Sequence, residues 1–348
     1  MATFHKVNIQ EIKHETANAV SVLFEIPEKL KAAFNFTAGQ YITLQKEING
    51  EEIRRAYSIC STPKSGEIRV AIKAVENGTF SVLATSVLKA GDIIEISEPE
   101  GRFLLNSQTN KNYIAFAAGS GITPILSMVK TVLQTEPTSN FTLVYGNKTV
   151  ADTIFYDELN TLKESFSNRF KLHYIFSREE VKNQLRGRID ESVTNYFVKN
   201  MYKETSFDAA FLCGPEEMIN EVSKTLKNNN IPEENIHFEL FTVSVDEEAL
   251  SEIKAGTTEI TVLLDDEETT FNMLQTDDIL AASLRNDLDA PYSCQGGVCS
   301  SCMCKVTEGK AVMVKNSILT DGEIEEGLIL ACQAHPTTSK ITIDFDDV

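Results

Sequence analysis

Basic residues are scarce in this chain of 348 residues. Lysine and arginine number 32 against 51 aspartates and glutamates, which gives a formal net charge of −19. Because nucleic-acid binding relies on patches of lysine and arginine, this deficit argues against a nucleic-acid partner. The same deficit argues against binding to an anionic membrane surface.

Long apolar segments are also missing. No apolar run approaches the roughly 18 residues that a membrane-spanning helix needs, and the N-terminal sequence lacks the apolar core of a signal peptide. The hydrophobic fraction is nevertheless 42%. It is enough to fill the cores expected at one domain per roughly 100–200 residues. We therefore expect a cytoplasmic protein of several domains.

The seven cysteines do not suggest a disulfide framework. Their number is odd, and four of them fall between Cys294 and Cys304. Clustering of this kind in a long chain indicates a metal site rather than disulfide bonds.

Acidic residues are concentrated near the C-terminus. From Asp246 onward there are 21 acidic and 6 basic residues, so this part carries −15 of the net charge and the first 245 residues only −4. Such a shift in composition marks a domain boundary. We expect domains at residues 1–105, 106–240 and 258–348, with a linker over 241–257.

The first hundred residues read as short β-strands. Alternating or β-rich runs are separated by Gly, Pro and Asn, a pattern typical of an antiparallel barrel or sandwich. One helix is predicted in this region, over Phe80–Gly91, with Gly91 as its C-terminal stop. The predicted strands are HKVNIQEIKHE, AVSVLFEI, QYITLQKEI, EIRRAYSIC, EIRVAIKAV and DIIEISEP.

Two features of this region are suited to a phosphorylated cofactor. The strand segment Arg55-Ala56-Tyr57-Ser58 puts a guanidinium, a flat ring and a hydroxyl close together. The segment Gly78-Thr79-Phe80-Ser81 stands at the predicted helix start, where free backbone N–H groups favour anions. Each has an alternative: Tyr57 is then a half-buried strand aromatic, and Ser81 a simple helix N-cap.

The middle of the chain changes to alternating strands and helices. This pattern favours an open parallel sheet with helices on both faces. The loop Gly119-Ser120-Gly121-Ile122-Thr123-Pro124 follows the first of these strands, at the position where a dinucleotide would dock. As a Rossmann fingerprint it is weak because the third glycine is absent.

Two later strand ends face the same expected crevice. Ser177-Arg178 pairs a hydroxyl with a guanidinium, which suits a ribose 2′-phosphate and hence NADPH. The alternative is that Arg178 pairs with Glu179 or Glu180. Cys213-Gly214-Pro215 opens a further helix, although Cys213 alone would also fit as a small buried apolar residue.

The last hundred residues carry the most specific pattern. Cys294-x4-Cys299-x2-Cys302, followed by Cys332, has the spacing of a plant-type [2Fe–2S] site. Zinc is the competing interpretation, but zinc sites usually combine two close cysteine pairs. The surrounding strands and single helix predict an α+β, β-grasp domain. The spacing gives the neighbouring Cys304 no ligand role.

Four of these motifs, in this order, resemble the ferredoxin–NADP reductase superfamily with a plant-type ferredoxin domain at the C-terminus. They are Arg55-Ala56-Tyr57-Ser58, Gly119-Ser120-Gly121-Ile122-Thr123-Pro124, Cys213-Gly214-Pro215 and the cysteine pattern that begins at Cys294. The match runs nearly end to end with the reductases of multicomponent oxygenases, most closely with those that serve phenylacetyl-CoA epoxidases. The resemblance implies an enzyme that passes electrons from NADPH (or NADH) through FAD and the [2Fe–2S] cluster to an oxygenase component.

The resemblance also implies roles for individual residues. Arg55 would hold the FAD pyrophosphate, Tyr57 and Ser58 would lie at the flavin ring, and Gly78, Phe80 and Ser81 near the phosphates. NAD(P)H would bind across Gly119, Gly121, Thr123 and Pro124, with Ser177 and Arg178 selecting NADPH. Thr123, Cys213 and Gly214 would lie near the nicotinamide, with Ser58, Thr123 and Cys213 at the reacting atoms. Glu239 and Phe241 resemble a segment that covers the other flavin face.

Two other functions remain open from the sequence. One is the reductase of a different oxygenase, of the Rieske or steroid-hydroxylating kind. The other is a subunit that senses redox state or channels electrons without nicotinamide turnover.

Overall fold

The computed structural model describes residues 3–348 and shows two compact units, Phe4–Phe241 and Thr242–Val348. The first unit contains an antiparallel sheet and a parallel sheet, and the second contains a mixed sheet. None of the helices within residues 3–348 is long and apolar enough to cross a membrane.

The antiparallel sheet closes on itself as a barrel. Its strands are β1 (Phe4–Thr16), β2 (Ala19–Glu25), β3 (Tyr41–Ile48), β4 (Glu51–Ser58), β5 (Ile68–Lys73) and β6 (Ile93–Ser97). They pair in the order β4-β3-β6-β1-β2-β5. A bridge between Ile59, which follows β4, and Val70 of β5 joins the two edges of the sheet. The predicted antiparallel domain is confirmed.

The helix of this barrel ends earlier than the sequence indicates. Helix α1 spans Thr79–Ser86, so the prediction that Gly91 stops it is wrong. The reason is a competing interaction with the sheet. Gly91 N–H donates to Ile9 O at 2.8 Å, and Ile9 N–H donates to Asp92 O at 2.8 Å. The residues after Ser86 therefore form a turn against β1.

All strands of the second sheet run parallel, as predicted. They are β7 (Asn112–Ala118), β8 (Asn140–Asn147), β9 (Phe170–Phe176), β10 (Leu185–Arg186), β11 (Ala209–Cys213) and β12 (Ile236–Glu239). The connecting helices are α2 (Ile122–Thr135), α3 (Tyr156–Ser165), α4 (Glu191–Asn195), which continues as a π-helical turn over Tyr196–Met201, and α5 (Glu216–Asn228).

The strand order of this sheet reverses between β7 and β11. From β7 the chain proceeds through β8 to β10 on one side, and then through β11 and β12 on the other. Ligands of open α/β sheets bind outside the carboxyl ends of the strands at such a reversal. The crevice is therefore expected where β7 and β11 end.

The C-terminal unit is built on a five-stranded sheet in the order β14-β13-β19-β15-β17, in which only β13 and β19 are parallel. It begins with helix α6 (Glu247–Glu252), which lies in the segment predicted as a linker. The hairpin between β13 and β14 turns at Asp265 and Asp266, both with positive φ, as its two-residue turn requires. The other elements are β13 (Thr257–Leu264), β14 (Glu267–Leu274), α7 (Ile279–Arg285), β15 (Met303–Glu308), β16 (Ala311–Met313), α8 (Asp321–Glu325), β17 (Leu328–Leu330), β18 (Ala334–Pro336) and β19 (Lys340–Asp344).

Candidate functional site

The end of β4 presents the arginine, tyrosine and serine predicted for a flavin. Arg55 donates to Arg54 O at 2.7 Å, and its guanidinium makes no ion pair with any carboxylate within residues 3–348. The Tyr57 ring packs 5.8 Å from the buried ring of Phe80, centroid to centroid. Burial raises the pKa of Tyr57 above its usual range, so its hydroxyl stays neutral. An unpaired guanidinium beside a flat ring fits a cofactor with a pyrophosphate and a planar ring system.

The turn before α1 is closed by Ser81. Its hydroxyl accepts the Val75 N–H at 3.2 Å. The N-cap is Gly78, so the alternative in which Ser81 caps the helix is wrong. A Cβ at Gly78 would lie 2.4 Å from Ser81 Oγ and 2.6 Å from Val75 Cγ2. A larger residue would have to displace both side chains, so the turn favours glycine and holds the first amides of α1 at the surface of the barrel.

A hydrogen bond connects the barrel to the parallel sheet at the predicted flavin position. Ser58 Oγ donates to Glu239 Oε2 at 3.1 Å, across 181 residues of sequence. Ser58 is buried and ends β4, while Glu239 ends β12. Phe241, two residues later, is 38% exposed and so offers a ring to a ligand.

Cys213 lies next to this pair and is fully buried. Burial, and then the charge of Glu239, raises the pKa of the Cys213 thiol well above its ordinary value. The residue is therefore held as a neutral thiol, and nucleophilic chemistry through a thiolate is disfavoured. The arrangement suits packing against an uncharged ring.

The glycine loop after β7 packs directly on the end of β11. A Cβ at Gly121 would lie 2.0 Å from Cys213 O, so the close approach requires glycine. Thr123 Oγ1 donates to Ser120 O at 3.0 Å, and Tyr145 Oη donates to Gly119 O at 2.9 Å. Both bonds fix the loop at the reversal point of the sheet.

The start of α2 and the turn after β11 complete this crevice. Pro124 is buried in the first turn of α2, where its missing N–H costs nothing. A Cβ at Gly214 would lie 2.6 Å from Met218 Cε and 3.1 Å from Ala118 Cβ. Loop, helix start and turn therefore form one tightly packed edge.

Ser177 and Arg178 follow β9 beside this crevice. The Ser177 N–H donates to Asn147 O at 3.0 Å, and the Arg178 N–H donates to Lys148 O at 2.9 Å. The Glu179 carboxylate accepts the Val150 N–H at 2.7 Å. No carboxylate within the described chain pairs with the exposed Arg178 guanidinium, which leaves it available for an anion.

Lys73 was missed by the sequence reasoning. It ends β5 in the barrel, and its Nζ lies 3.7 Å from the position that a Cβ on Gly119 would take. Burial, and then the charge of Lys148, lowers the pKa of Lys73. A cation at the glycine loop, with a second one close enough to lower its pKa, favours a phosphate there. The cue in the sequence is a lysine that ends a strand five residues before Gly78.

Four cysteines of the C-terminal unit lie in two close pairs, and within residues 3–348 no group of three or more His, Cys, Asp or Glu side chains is arranged to hold a metal ion. The Sγ atoms of Cys294 and Cys299 are 3.1 Å apart, and the Gly296 N–H points to Cys294 Sγ at 3.3 Å. Cys302 and Cys332 are brought together by strand pairing, because Met303 is opposite Leu330 and the Ala331 N–H donates to Cys302 O at 2.9 Å. The long sequence gap before the fourth cysteine is thus closed by β15 and β17.

Thiol–thiol hydrogen bonds shift the pKa values within each pair in opposite directions. A hydrogen bond from the Cys299 thiol lowers the pKa of Cys294 to about 7. A hydrogen bond from the Cys302 thiol likewise lowers the pKa of Cys332. The pKa values of the two donor thiols, Cys299 and Cys302, are raised by the same contacts. Each pair therefore holds one thiol that ionises readily, and ligation of a metal requires the other to lose its proton as well.

The loop backbone packs closely against the segment at Lys315. Gly297 has a φ of +73°, and a Cβ there would lie 2.8 Å from Lys315 O. The Ser301 N–H is directed at Cys299. This donor set and this cradle fit an iron–sulfur cluster. Cys304 is fully buried within the sheet, and burial raises the pKa of its thiol, which suits a structural residue.

Three family models match the chain, in the order of its domains. They are described as an oxidoreductase FAD-binding domain, over residues 6–104, an oxidoreductase NAD-binding domain, over residues 116–224, and a 2Fe-2S iron-sulfur cluster binding domain, over residues 262–337. The chain therefore binds FAD, a nicotinamide nucleotide and a [2Fe–2S] cluster.

Curated relatives match over nearly the whole length. The chain is 40% identical to one of the subunits of the 1,2-phenylacetyl-CoA epoxidase of Escherichia coli (strain K12), over 99% of both chains. It is 30% identical to the ferredoxin reductase component of 3-ketosteroid-9-alpha-monooxygenase from Rhodococcus rhodochrous, over 97% of this chain and 96% of the relative.

A solved structure has the same fold. Phthalate dioxygenase reductase matches 98% of each chain with a TM-score of 0.66 at 23% identity. The predicted fold class, an antiparallel flavin domain, a parallel-sheet nucleotide domain and a C-terminal ferredoxin domain, is thereby confirmed.

Proposed function

Because the chain belongs to the oxygenase reductases of the ferredoxin–NADP reductase superfamily, we propose that it passes electrons from NADPH to the oxygenase component of a phenylacetyl-CoA epoxidase. The full-length relative at 40% identity is a component of such an epoxidase, which supports this acceptor. The relative at 30% identity serves a steroid monooxygenase, so a steroid oxygenase is the second candidate. A cytoplasmic location remains a prediction.

The three cofactors divide the chemistry. Nicotinamide gives up two electrons as a hydride, an iron–sulfur cluster takes one at a time, and a flavin supplies the conversion between them. The protein contributes binding and orientation. In our assignment, Arg55 holds the FAD pyrophosphate, Tyr57 and Ser58 lie along the flavin ring, and the Gly78–Ser81 turn places amides of α1 at the phosphates.

The hydrogen bond between Ser58 and Glu239 is the observation that carries the proposal. It brings the barrel residue assigned to the flavin to within 3.1 Å of the strand that ends the nucleotide-binding sheet. Cys213 and the loop at Gly121 lie on the same side of that sheet, at its reversal point. A flavin held by β4 and a nicotinamide held by the glycine loop would therefore share one site. This arrangement favours turnover over a redox sensor without nicotinamide chemistry.

On the acceptor side, Cys294, Cys299, Cys302 and Cys332 are our assignment for the cluster ligands. The part of the chain from Asp246 onward carries a net charge of −15. Charge of one sign raises association rates with a partner of opposite sign. We therefore expect the oxygenase to offer a basic face, and its reduction to slow as the salt concentration rises.

Reconstituted turnover tests the proposal. Full-length protein loaded with FAD and iron is mixed with NADPH and the oxygenase component of a phenylacetyl-CoA epoxidase, and epoxide formed per NADPH is measured. The control replaces that oxygenase with a 3-ketosteroid monooxygenase oxygenase. We expect coupled product only with the first. Coupled turnover only with the steroid enzyme would make the second candidate correct, and failure of NADPH to reduce even ferricyanide would favour the sensor.

A further inference from the structure

The side chain of Gln333 lies against the cysteine group, and the sequence reasoning gave it no role. It follows Cys332 directly and is 8% exposed. Its Nε2 lies 3.7 Å from Cys332 Sγ, 2.6 Å from Cys332 O and 3.0 Å from Gln295 O. The two contacts to oxygen are short enough for N–H···O hydrogen bonds, and the contact to sulfur is longer, as the larger sulfur atom requires.

The orientation of this amide follows from its neighbours. The two ends of a glutamine amide have nearly the same shape, so their assignment must come from the hydrogen-bond partners. Backbone carbonyl oxygens can only accept hydrogen bonds. Because two carbonyls, of Cys332 and Gln295, face this end of the side chain, the NH₂ group must be the end that points to them. The two N–H groups then serve three acceptors: one N–H points to Gln295 O, and the other is shared between Cys332 O and Cys332 Sγ.

The amide also joins the two ends of the cysteine group. Gln295 is next to Cys294 and lies 38 residues before Gln333. Its backbone has a φ of +53°, a conformation that a residue with a side chain rarely adopts without support. The hydrogen bond to its carbonyl supplies such support from the turn between β17 and β18, which carries Cys332.

We propose that Gln333 is a positioning residue for the [2Fe–2S] cluster: one N–H is shared between Cys332 O and the Cys332 sulfur, and the other holds the Cys294 loop through Gln295 O. Reduction adds a negative charge to the cluster, and hydrogen bonds to its sulfurs favour the more negative state. Gln333 therefore raises the reduction potential and makes the cluster a better acceptor from the flavin. The inference rests on the proposed assignment of Cys332 as a ligand.

The test is a redox titration of the loaded full-length protein, followed by the electron paramagnetic resonance signal of the reduced cluster. Gln333→Leu keeps the side-chain volume but removes the donor. We expect a roughly tenfold fall in the equilibrium constant for one-electron reduction of the cluster, equivalent to about 59 mV. The flavin couple in the same sample is expected to stay unchanged.

Gln275 provides a matched control. It is a partly buried glutamine of the same unit, and its Nε2 donates to Thr258 Oγ1 at 3.1 Å and to Thr338 O at 3.2 Å, with no cysteine as partner. Gln275→Leu loses a comparable pair of bonds, and we expect the cluster potential to stay within twofold of wild type in equilibrium constant. If Gln333 had only a structural role, Gln333→Leu and Gln275→Leu would change the equilibrium constant for cluster reduction by the same factor.

A second variant is needed in case Gln333→Leu incorporates the cluster poorly. Gln333→Glu keeps the shape of the side chain and removes both N–H donors, so the equilibrium constant is again expected to fall at least tenfold. If both loaded Gln333 variants reduce as readily as wild type, the inference is overturned while the proposed function stands. If Cys332→Ala keeps its full iron content and wild-type signal, the ligand assignment is wrong and the inference is wrong with it.

Discussion

Replacing Gly121 by alanine would disturb the nucleotide crevice in a defined way. The new Cβ would lie 2.0 Å from Cys213 O, 2.4 Å from Cys213 C and 2.9 Å from Gly214 N. Ordinary contacts begin at 3.4 Å, so the loop must move away from β11 by more than about 1 Å. Every atom it meets is backbone, and no rotamer change can relieve the overlap. The crevice between the glycine loop and β11 would therefore widen.

A displacement of this size is large for a hydride-transfer site. Misplacing reacting groups by about 1 Å costs on the order of 100-fold in rate. We expect kcat/KM for NADPH-dependent ferricyanide reduction to fall by roughly that factor in Gly121→Ala. The FAD and cluster absorbance should be retained, because Arg55, Tyr57 and the cysteines are untouched.

Ferricyanide reduction is measured at saturating and limiting NADPH, beside reduction of the cluster by dithionite, which does not use the crevice. Gly322→Ala is the control, since a Cβ at Gly322 meets nothing within 4 Å. A Gly121→Ala protein with wild-type kcat/KM and wild-type thermal stability would refute the placement of the nucleotide.

The other predictions concern nucleotide choice, cluster ligation and pH. Arg178→Ala is expected to raise KM for NADPH by roughly 10–100-fold and leave that for NADH unchanged, because a charged hydrogen bond contributes about 1.5–3 kcal/mol; equal rates before and after would contradict the assignment. Iron analysis should show that Cys294→Ser loses the cluster, whereas Cys304→Ser keeps it and loses stability, as expected for a buried hydroxyl; the reverse result would exchange their roles. Burial lowers the pKa of His173 to about 4 from 6.5. As the pH falls, His173 is therefore protonated in the unfolded chain before it is protonated in the folded one, and the free energy of unfolding falls by about 2 kcal/mol between pH 7 and pH 5. Thermal unfolding of wild type and His173→Gln at both pH values should show a smaller loss in the variant, and equal losses would refute it.

The strands and the local motifs were readable from the sequence because they depend on short-range patterns. Alternation of apolar residues located the barrel strands, and fixed gaps between Cys294, Cys299 and Cys302 located most of the cluster loop. The predicted end of α1 was wrong because it depends on contacts with a distant strand rather than on a short-range pattern. Hydrogen bonds between Ile9 and the turn at Gly91 and Asp92 decide where that helix stops, and nothing within the helix sequence reports them.

Contacts between distant segments were the part that the sequence could not supply. Ser58 and Glu239 were each assigned to the flavin, but only the fold shows that they share a hydrogen bond. Lys73 was missed because its relevance comes from lying near Gly119, which belongs to another sheet. Gln333 was missed because an amide beside a cysteine in sequence gives no sign of where its nitrogen points.

The nucleotide crevice and the cysteine group each hold residues that are distant in sequence at a fixed separation. In the nucleotide-binding sheet, β7 and β11 are adjacent parallel strands, so Gly121 and Cys213 meet where both end. In the C-terminal unit, the pairing of Met303 with Leu330 brings Cys302, which precedes Met303, close to Cys332, which lies two residues after Leu330. In both sites the geometry depends on strand register rather than on the length of the connecting chain. A one-residue slip between β15 and β17 would turn Leu330 to the opposite face and so displace the turn that carries Cys332, whereas added residues in the connection would leave the ligand set in place.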